Sequence, residues 1–301
     1  MFRRHIPLSP SNGFGAGQTT TYLLPVGLRI HTLLLDLFID GSRVVDNTIV
    51  NYIEEIRINV DGQMPRRFLP RDLLASNELM LDEQLTAQDP GPYPVHFREP
   101  GRLAAGDQDI LMWPMGDVSN ASLEVVWKSG AFTPRLDVTM VADFGKDPET
   151  GKVPNLEAIM KWFRLSYGVS FISSSDWLEI NDLVRTEAYA RFLIWTPTGL
   201  DPLSYEIIRD GEIVRKESFT ASDKILSLGS RFSTNALGGA TYDGWNAYWI
   251  ILDDTQHVRD SLSMIKADGN RVSDFKLRLE LDNTTASPQT VQLFVQKFGN
   301  P

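Results

Sequence analysis

The sequence predicts an all-β protein built from two tandem sandwiches. Three observations predict it. Short β-branched and apolar runs recur along the whole chain and stop at Asp-Gly, Gly and Pro signals. Helical spacing is rare. Three segments of the first half return, in order, 149 to 154 residues later in the 301-residue chain.

The elements follow in chain order. Residues 8–20 are rich in Gly, Ser and Thr and read, with the N-terminus, as a flexible arm over 1–17. Strands are expected at 21–24, at Arg29 to Ile39 before Asp40-Gly41, and at Glu55 to Val60 before Asp61-Gly62. Asp-Gly after an alternating run is a strong hairpin signal. Residues 70–85 place Leu73, Leu74, Leu81 and Leu85 near helical spacing. Strands then return at 121–127 and 135–144. Leu156, Ile159, Met160 and Phe163 fall at i, i+3, i+4 and i+7, which predicts a helix over about 155–166. Its apolar face needs a partner, between domains or between subunits. The remaining strands are expected at 189–196, 205–209, 247–252, 275–282 and 290–298. Phe275 to Asp282 alternates without a break, Phe and Leu on one face and Lys, Arg, Glu and Asp on the other.

The repeat organises these elements. Ile58 to Arg67 resembles Ile207 to Lys216: a strand, an Asp-Gly turn, then two basic residues. Arg71 to Leu74 resembles Ser222 to Leu226, and Val138 to Gly145 resembles Val291 to Gly299. The predicted division is an arm at 1–17, a sandwich at 18–146, a linker with a helix at 147–184, and a sandwich at 185–301. Immunoglobulin modules run to about 100 residues, so modules of this length favour eight-stranded jelly rolls.

Composition excludes several kinds of chemistry. Cysteine is absent, so disulfides, zinc thiolates, iron–sulfur clusters and cysteine nucleophiles are excluded. The formal charge of −10 argues against broad or sequence-specific nucleic-acid binding, which uses a basic face. No apolar run reaches the length of a membrane span, and no signal-peptide pattern follows Met1, so a soluble protein made in the cytoplasm is expected. His5, His31, His96 and His257 are isolated in sequence and match no metal or nucleophile motif. No P-loop or nucleophile elbow occurs. Gly13 to Gly17 is glycine-rich but opens no helix. The adjacent acids Glu54-Glu55 and Asp253-Asp254 would point to opposite faces of a strand and form no dyad. Asp143, Asp147 and Glu149 are the candidate ligands of a structural Ca²⁺ ion, the only cofactor considered. Seven tryptophans are explained by core and interface packing, or by a sugar-stacking platform. No catalytic constellation is found, and no enzyme is expected.

The pattern resembles a known family. Ile6-Pro7, the Gly-Ala-Gly stretch and Leu24-Pro25-Val26-Gly27 resemble the opening of the corticovirus-type major capsid protein. So do Ile56 to Gly62 followed by Asp72-Leu73-Leu74, then Tyr205 to Gly211, and Leu277 to Asp282. The resemblance implies a double jelly-roll coat protein, similar to the coats of tectiviruses and adenovirus, in an icosahedral, membrane-containing bacteriophage. It implies a homotrimer of pseudo-hexagonal outline, a capsid lattice, and contact with vertex or spike proteins. Arg3 and Arg4 on the arm are the candidates to meet an internal membrane. Leu156, Ile159, Met160, Phe163, Trp245 and Trp249 are the candidate interface residues. Two other readings stay open: a two-domain glycan-binding protein or hydrolase, and a minor virion component such as a spike.

Overall fold

The computed structural model describes residues 3–44, 46–81, 92–98, 111–147, 149–157, 159–222, 238–253, 261–266 and 268–300. The chain divides into two units, Met1–Phe163 with Asn300–Pro301, and Arg164–Gly299.

The first unit holds β1 (Arg4–Leu8), β2 (Thr19–Leu23), β3 (Arg29–Ile39), β4 (Ser42–Arg43), β5 (Ile53–Val60), β6 (Gln63–Phe68), α1 (Pro70–Leu81), β7 (Tyr93–His96), β8 (Trp113–Pro114), β9 (Ala121–Trp127) and β10 (Pro134–Asp143). In one sheet β10 lies between β1 and β3, and β4, β7 and β8 all pair with β3. In the other the order is β2-β9-β5-β6. If β7 and β8 count as one split strand and β4 as a flap on β3, the sheets order their strands first-eighth-third-sixth and second-seventh-fourth-fifth. That is the order of a jelly roll.

The second unit repeats it. The strand β11 (Ile159–Val169) begins in the first unit and continues into this one. It is followed by β12 (Ser174–Ile180), β13 (Ala188–Pro197), β14 (Leu200–Arg209), β15 (Glu212–Ser218), β16 (Gly238–Tyr242), β17 (Trp245–Ile251), β18 (Phe275–Asn283) and β19 (Gln289–Gly299). One sheet runs β11-β19-β13-β17-β16 and the other β12-β18-β14-β15. With β16 counted as an extra edge strand beside β17, the order is again first-eighth-third-sixth and second-seventh-fourth-fifth.

Alternation builds both cores. On β18, Phe275, Leu277, Leu279 and Leu281 are buried while Lys276, Arg278 and Glu280 are not. β13 departs from this rule, because Tyr189 to Thr196 are buried on both faces. The helix α1 starts as its sequence directs. Pro70 sits in its first turn, and the Asp72 carboxylate accepts from the Leu69 N–H at 2.7 Å. A helical turn at 219–222 follows β15 just as α1 follows β6.

Three expectations are corrected. The helix expected over 155–166 is absent; Ile159 onward forms β11. Apolar spacing over one or two turns fits a strand as well as a helix, and the aromatic content of Trp162, Phe163 and Tyr167 favours the strand. The linker expected at 147–184 therefore holds strands in place of a helix: β11 and β12 occupy nearly half of it. Within the arm expected over 1–17, Arg4–Leu8 is a strand: β1 pairs antiparallel with β10, Arg4 opposite Ala142 and Leu8 opposite Val138. Short, exposed and containing Pro7, β1 has the composition of an edge strand rather than of a core strand. The end of the expected helix at 82–85, and Asp223 to Leu226 of the repeat, lie outside the described residues.

Candidate assembly surfaces

The two Asp-Gly turns form the same structure. Asp61 and Gly62 have φ of 47° and 81°; Asp210 and Gly211 have 53° and 83°. Two left-handed residues in succession are what a two-residue hairpin requires, and Asp enters that region more readily than most side chains. The Asp61 carboxylate accepts from the N–H groups of Asn120 (2.8 Å) and Ser119 (3.1 Å). The Asp210 carboxylate accepts from those of Ser273 (2.7 Å) and Asp274 (3.1 Å). Each pair of donors immediately precedes the seventh strand of its sandwich. The backbone N–H of each turn Asp donates back, to the carbonyl of Asn120 or Asp274. Lys266 beside Asp210, with the Ser273 hydroxyl, holds the Asp210 carboxyl well below the usual carboxylate range.

The equivalence extends to the next strand. Arg66 and Arg215 are separated by the same 149 residues as the turns. Arg66 donates to the carbonyl of His96, the last residue of β7, at 2.6 Å. Arg215 donates to the carbonyl of Ile251, the last residue of β17, at 2.9 Å. In both units an arginine of the fifth strand thus ties the two sheets together. Arg66 is fully buried, with its guanidinium 4.3 to 5.0 Å from the ring centres of Trp162, Phe97 and Trp113.

The predicted site residues fare unevenly. Leu156, Ile159, Met160 and Trp249 are buried inside the protomer, and Phe163 and Trp245 are half-buried. The first four are core residues, because a periodic apolar pattern looks the same whether it faces a core or a partner. The calcium candidates are not brought together. Asp143 is buried and engaged by Arg29 at 2.8 and 3.0 Å, His31 at 2.8 Å and the Gly145 N–H at 2.7 Å. Burial alone would raise its carboxyl; these hydrogen bonds outweigh burial and hold it below its ordinary value. Asp147 folds back on its own loop, accepting from the Glu149 and Thr150 N–H groups at 2.8 Å each. Among the described residues no cluster of three metal-ligating side chains occurs. Arg3 and Arg4 are exposed, and the Arg4 guanidinium lies 4.4 Å from the Phe144 ring centre.

The exposed apolar residues, which sequence reading did not single out, fall at corresponding places. Met64 and Ile213 each stand two residues after the turn glycine and are 43% and 53% exposed. In the first unit Leu23, Val26 and Phe144 are exposed at the same end as the turn. In the second, Val184, Val214 and Ile265 are exposed there too. The repeat, had it been read for side chains as well as turns, pairs Met64 with Ile213.

The outer face of β12-β18-β14-β15 is a closed ionic layer. Glu206 accepts from Lys216 and Arg278, both at 2.7 Å, and Lys276 pairs with Glu179 at 3.0 Å. Arg278 lies 4.7 Å and Lys216 5.8 Å from the Trp177 ring centre. Trp177 is half-buried, with these two cations against its ring.

Two units of like strand order make the fold a double jelly roll. Residues 5–144, just under half of the chain, match the family model of the viral coat protein P2 N-terminal domain, and that match supports a capsid role in the virion. No curated protein matches the sequence. Solved structures share the fold over nearly the whole chain. The major capsid protein P2 from bacteriophage PM2 is 18% identical with a TM-score of 0.74, covering 100% of this chain and 98% of its own. The STIV major capsid protein is 13% identical with a TM-score of 0.66, over 100% and 98%. The PBCV-1 virus capsid is 9% identical with a TM-score of 0.59, over 99% and 93%.

Proposed function

We propose that the chain is the major capsid protein of an icosahedral particle, that it works as a homotrimer of pseudo-hexagonal outline, and that it has no enzymatic activity. The observation that carries this is the hydrogen-bond equivalence of the Asp61 and Asp210 turns. Three chains of two like modules present six like modules, and a threefold assembly of them tiles a shell. The glycan-binding reading requires exposed tryptophan. Trp113, Trp127, Trp162, Trp195 and Trp249 are buried, Trp245 is half-buried, and half-buried Trp177 has Arg278 and Lys216 against its ring. Exposed Arg3 and Arg4, beside Phe144, form an amphipathic end suited to an anionic lipid surface within the particle. Vertex or spike proteins are the other expected partners, and a structural Ca²⁺ ion is not favoured by the geometry of Asp143. Negative-stain imaging of the purified protein tests the reading. Three-fold particles of hexagonal outline are expected. Isolated single chains that bind an oligosaccharide saturably would overturn it.

A further inference from the structure

The fifth strand of each sandwich meets a different fate. In the first unit the outer edge of β6 is occupied. The opening residues of β11 pair with it in parallel, Trp162 opposite Arg66, and Arg66 donates to the Met160 carbonyl at 3.1 Å. The counterpart of β6 in the second unit is β15. It is the terminal strand of its sheet, and among the described residues no strand pairs with its outer edge. None of its seven residues is buried, and Ile213 and Val214 are 53% and 43% exposed. A free edge with apolar side chains is a ready template for another strand.

The strand that covers β6 is a first strand of a sandwich. The other first strand in the chain is β1, and it too ends its sheet with a free outer edge among the described residues. None of Arg4 to Leu8 is buried. β6 carries Pro65 beside its pairing position, and β1 carries Pro7. Proline is tolerated on such edges and limits the ladder to few bonds.

We propose that β1 of a second copy adds in parallel to the outer edge of β15, as β11 adds to β6 within one chain. The contact is heterologous, fifth strand to first strand, and three such contacts related by a threefold axis close without leaving any β15 edge open. The inference deepens the trimer reading and rests on it.

The chain has no cysteine, so engineered thiols report without background. Ile6→Cys is combined in turn with Glu212→Cys, Val214→Cys or Lys216→Cys, and the protein is treated with a short bis-maleimide. At least one pair is expected to give a denaturant-resistant ladder ending at three chains, while the control pair Ile6→Cys with Leu203→Cys stays single. In parallel, Ile213→Asp with Val214→Asp, on exposed positions, is expected to give folded monomers with an unchanged circular dichroism spectrum. If the unmodified protein is a monomer, the trimer reading itself fails. If it is a trimer but no pair cross-links beyond the control, and the double Asp variant remains a trimer, the β1–β15 contact alone is overturned.

Discussion

The carboxylate of Asp210 accepts a hydrogen bond from the N–H of Ser273 at 2.7 Å, 63 residues away in sequence, and fastens the fourth–fifth hairpin to the start of the seventh strand. Asp61 does the same for Asn120 in the first unit. A third turn follows a similar plan: the Asp40 carboxylate accepts from the Thr133 N–H at 2.9 Å, just before β10. Glycine completes each turn in the left-handed region.

That geometry makes a paired prediction. A Cβ at Gly62 or Gly211 meets no atom within 4 Å, so the cost of alanine there is the backbone conformation alone. Gly62→Ala and Gly211→Ala should each lose about 1–2 kcal/mol. Denaturant unfolding should give similar losses for both, because the two turns are equivalent. Asp210→Asn should be tolerated better than Asp210→Ala, since one oxygen can still accept from Ser273 and Asp274.

Arg191 and Asp253 form a pair with no exposed side-chain surface, joined at 2.9 and 2.8 Å. Asp253→Ala leaves the guanidinium charge buried without its counter-ion and should cost about 3–5 kcal/mol. Replacing both by apolar residues of similar volume, Arg191→Met with Asp253→Leu, should recover most of that loss. Thermal unfolding of the three variants checks the order.

His96 sets a pH dependence. Burial, then the positive charges of Arg98 and Arg66, depress its imidazole to about 3 from an ordinary 6.5. Its Nδ1 lies 3.2 Å from the Thr32 hydroxyl. Between these values the unfolded chain binds a proton that the folded chain does not. Stability contributed by this residue is therefore complete above about pH 6.5 and falls on acidification, by about 1.4 kcal/mol per pH unit. His96→Gln, neutral throughout, should flatten that slope in unfolding curves taken from about pH 7 to about pH 4.

Legibility in the sequence followed apolar content. Strands rich in apolar and β-branched residues were readable, and Phe275 to Asn283 is the plainest, since its alternation is the burial pattern itself. The strands missed include Arg4–Leu8 and Ile159–Val169, the first strand of each sandwich, and the polar strands Gln63–Phe68, Ser174–Ile180 and Glu212–Ser218. β1 is short and exposed, and apolar spacing in β11 satisfies a helix as well as a strand. The Asp-Gly turns were visible because their chemistry is local. The carboxylate acceptors were not, because Asp61 and Asn120 meet across 59 residues. Buried charges such as Arg66, Arg191 and Asp253 carry no local signal at all. The interface candidates Leu156, Ile159, Met160 and Trp249 are buried within the chain, because sequence shows apolarity but not which side of the sheet is covered.

The central claim is that three chains form the working unit, and mass in solution tests it most directly. Light scattering on the purified protein at micromolar concentration, across a range of salt and calcium, should give about 102 kDa, three times the 33.9 kDa chain. A mass of one chain under every condition would contradict the account.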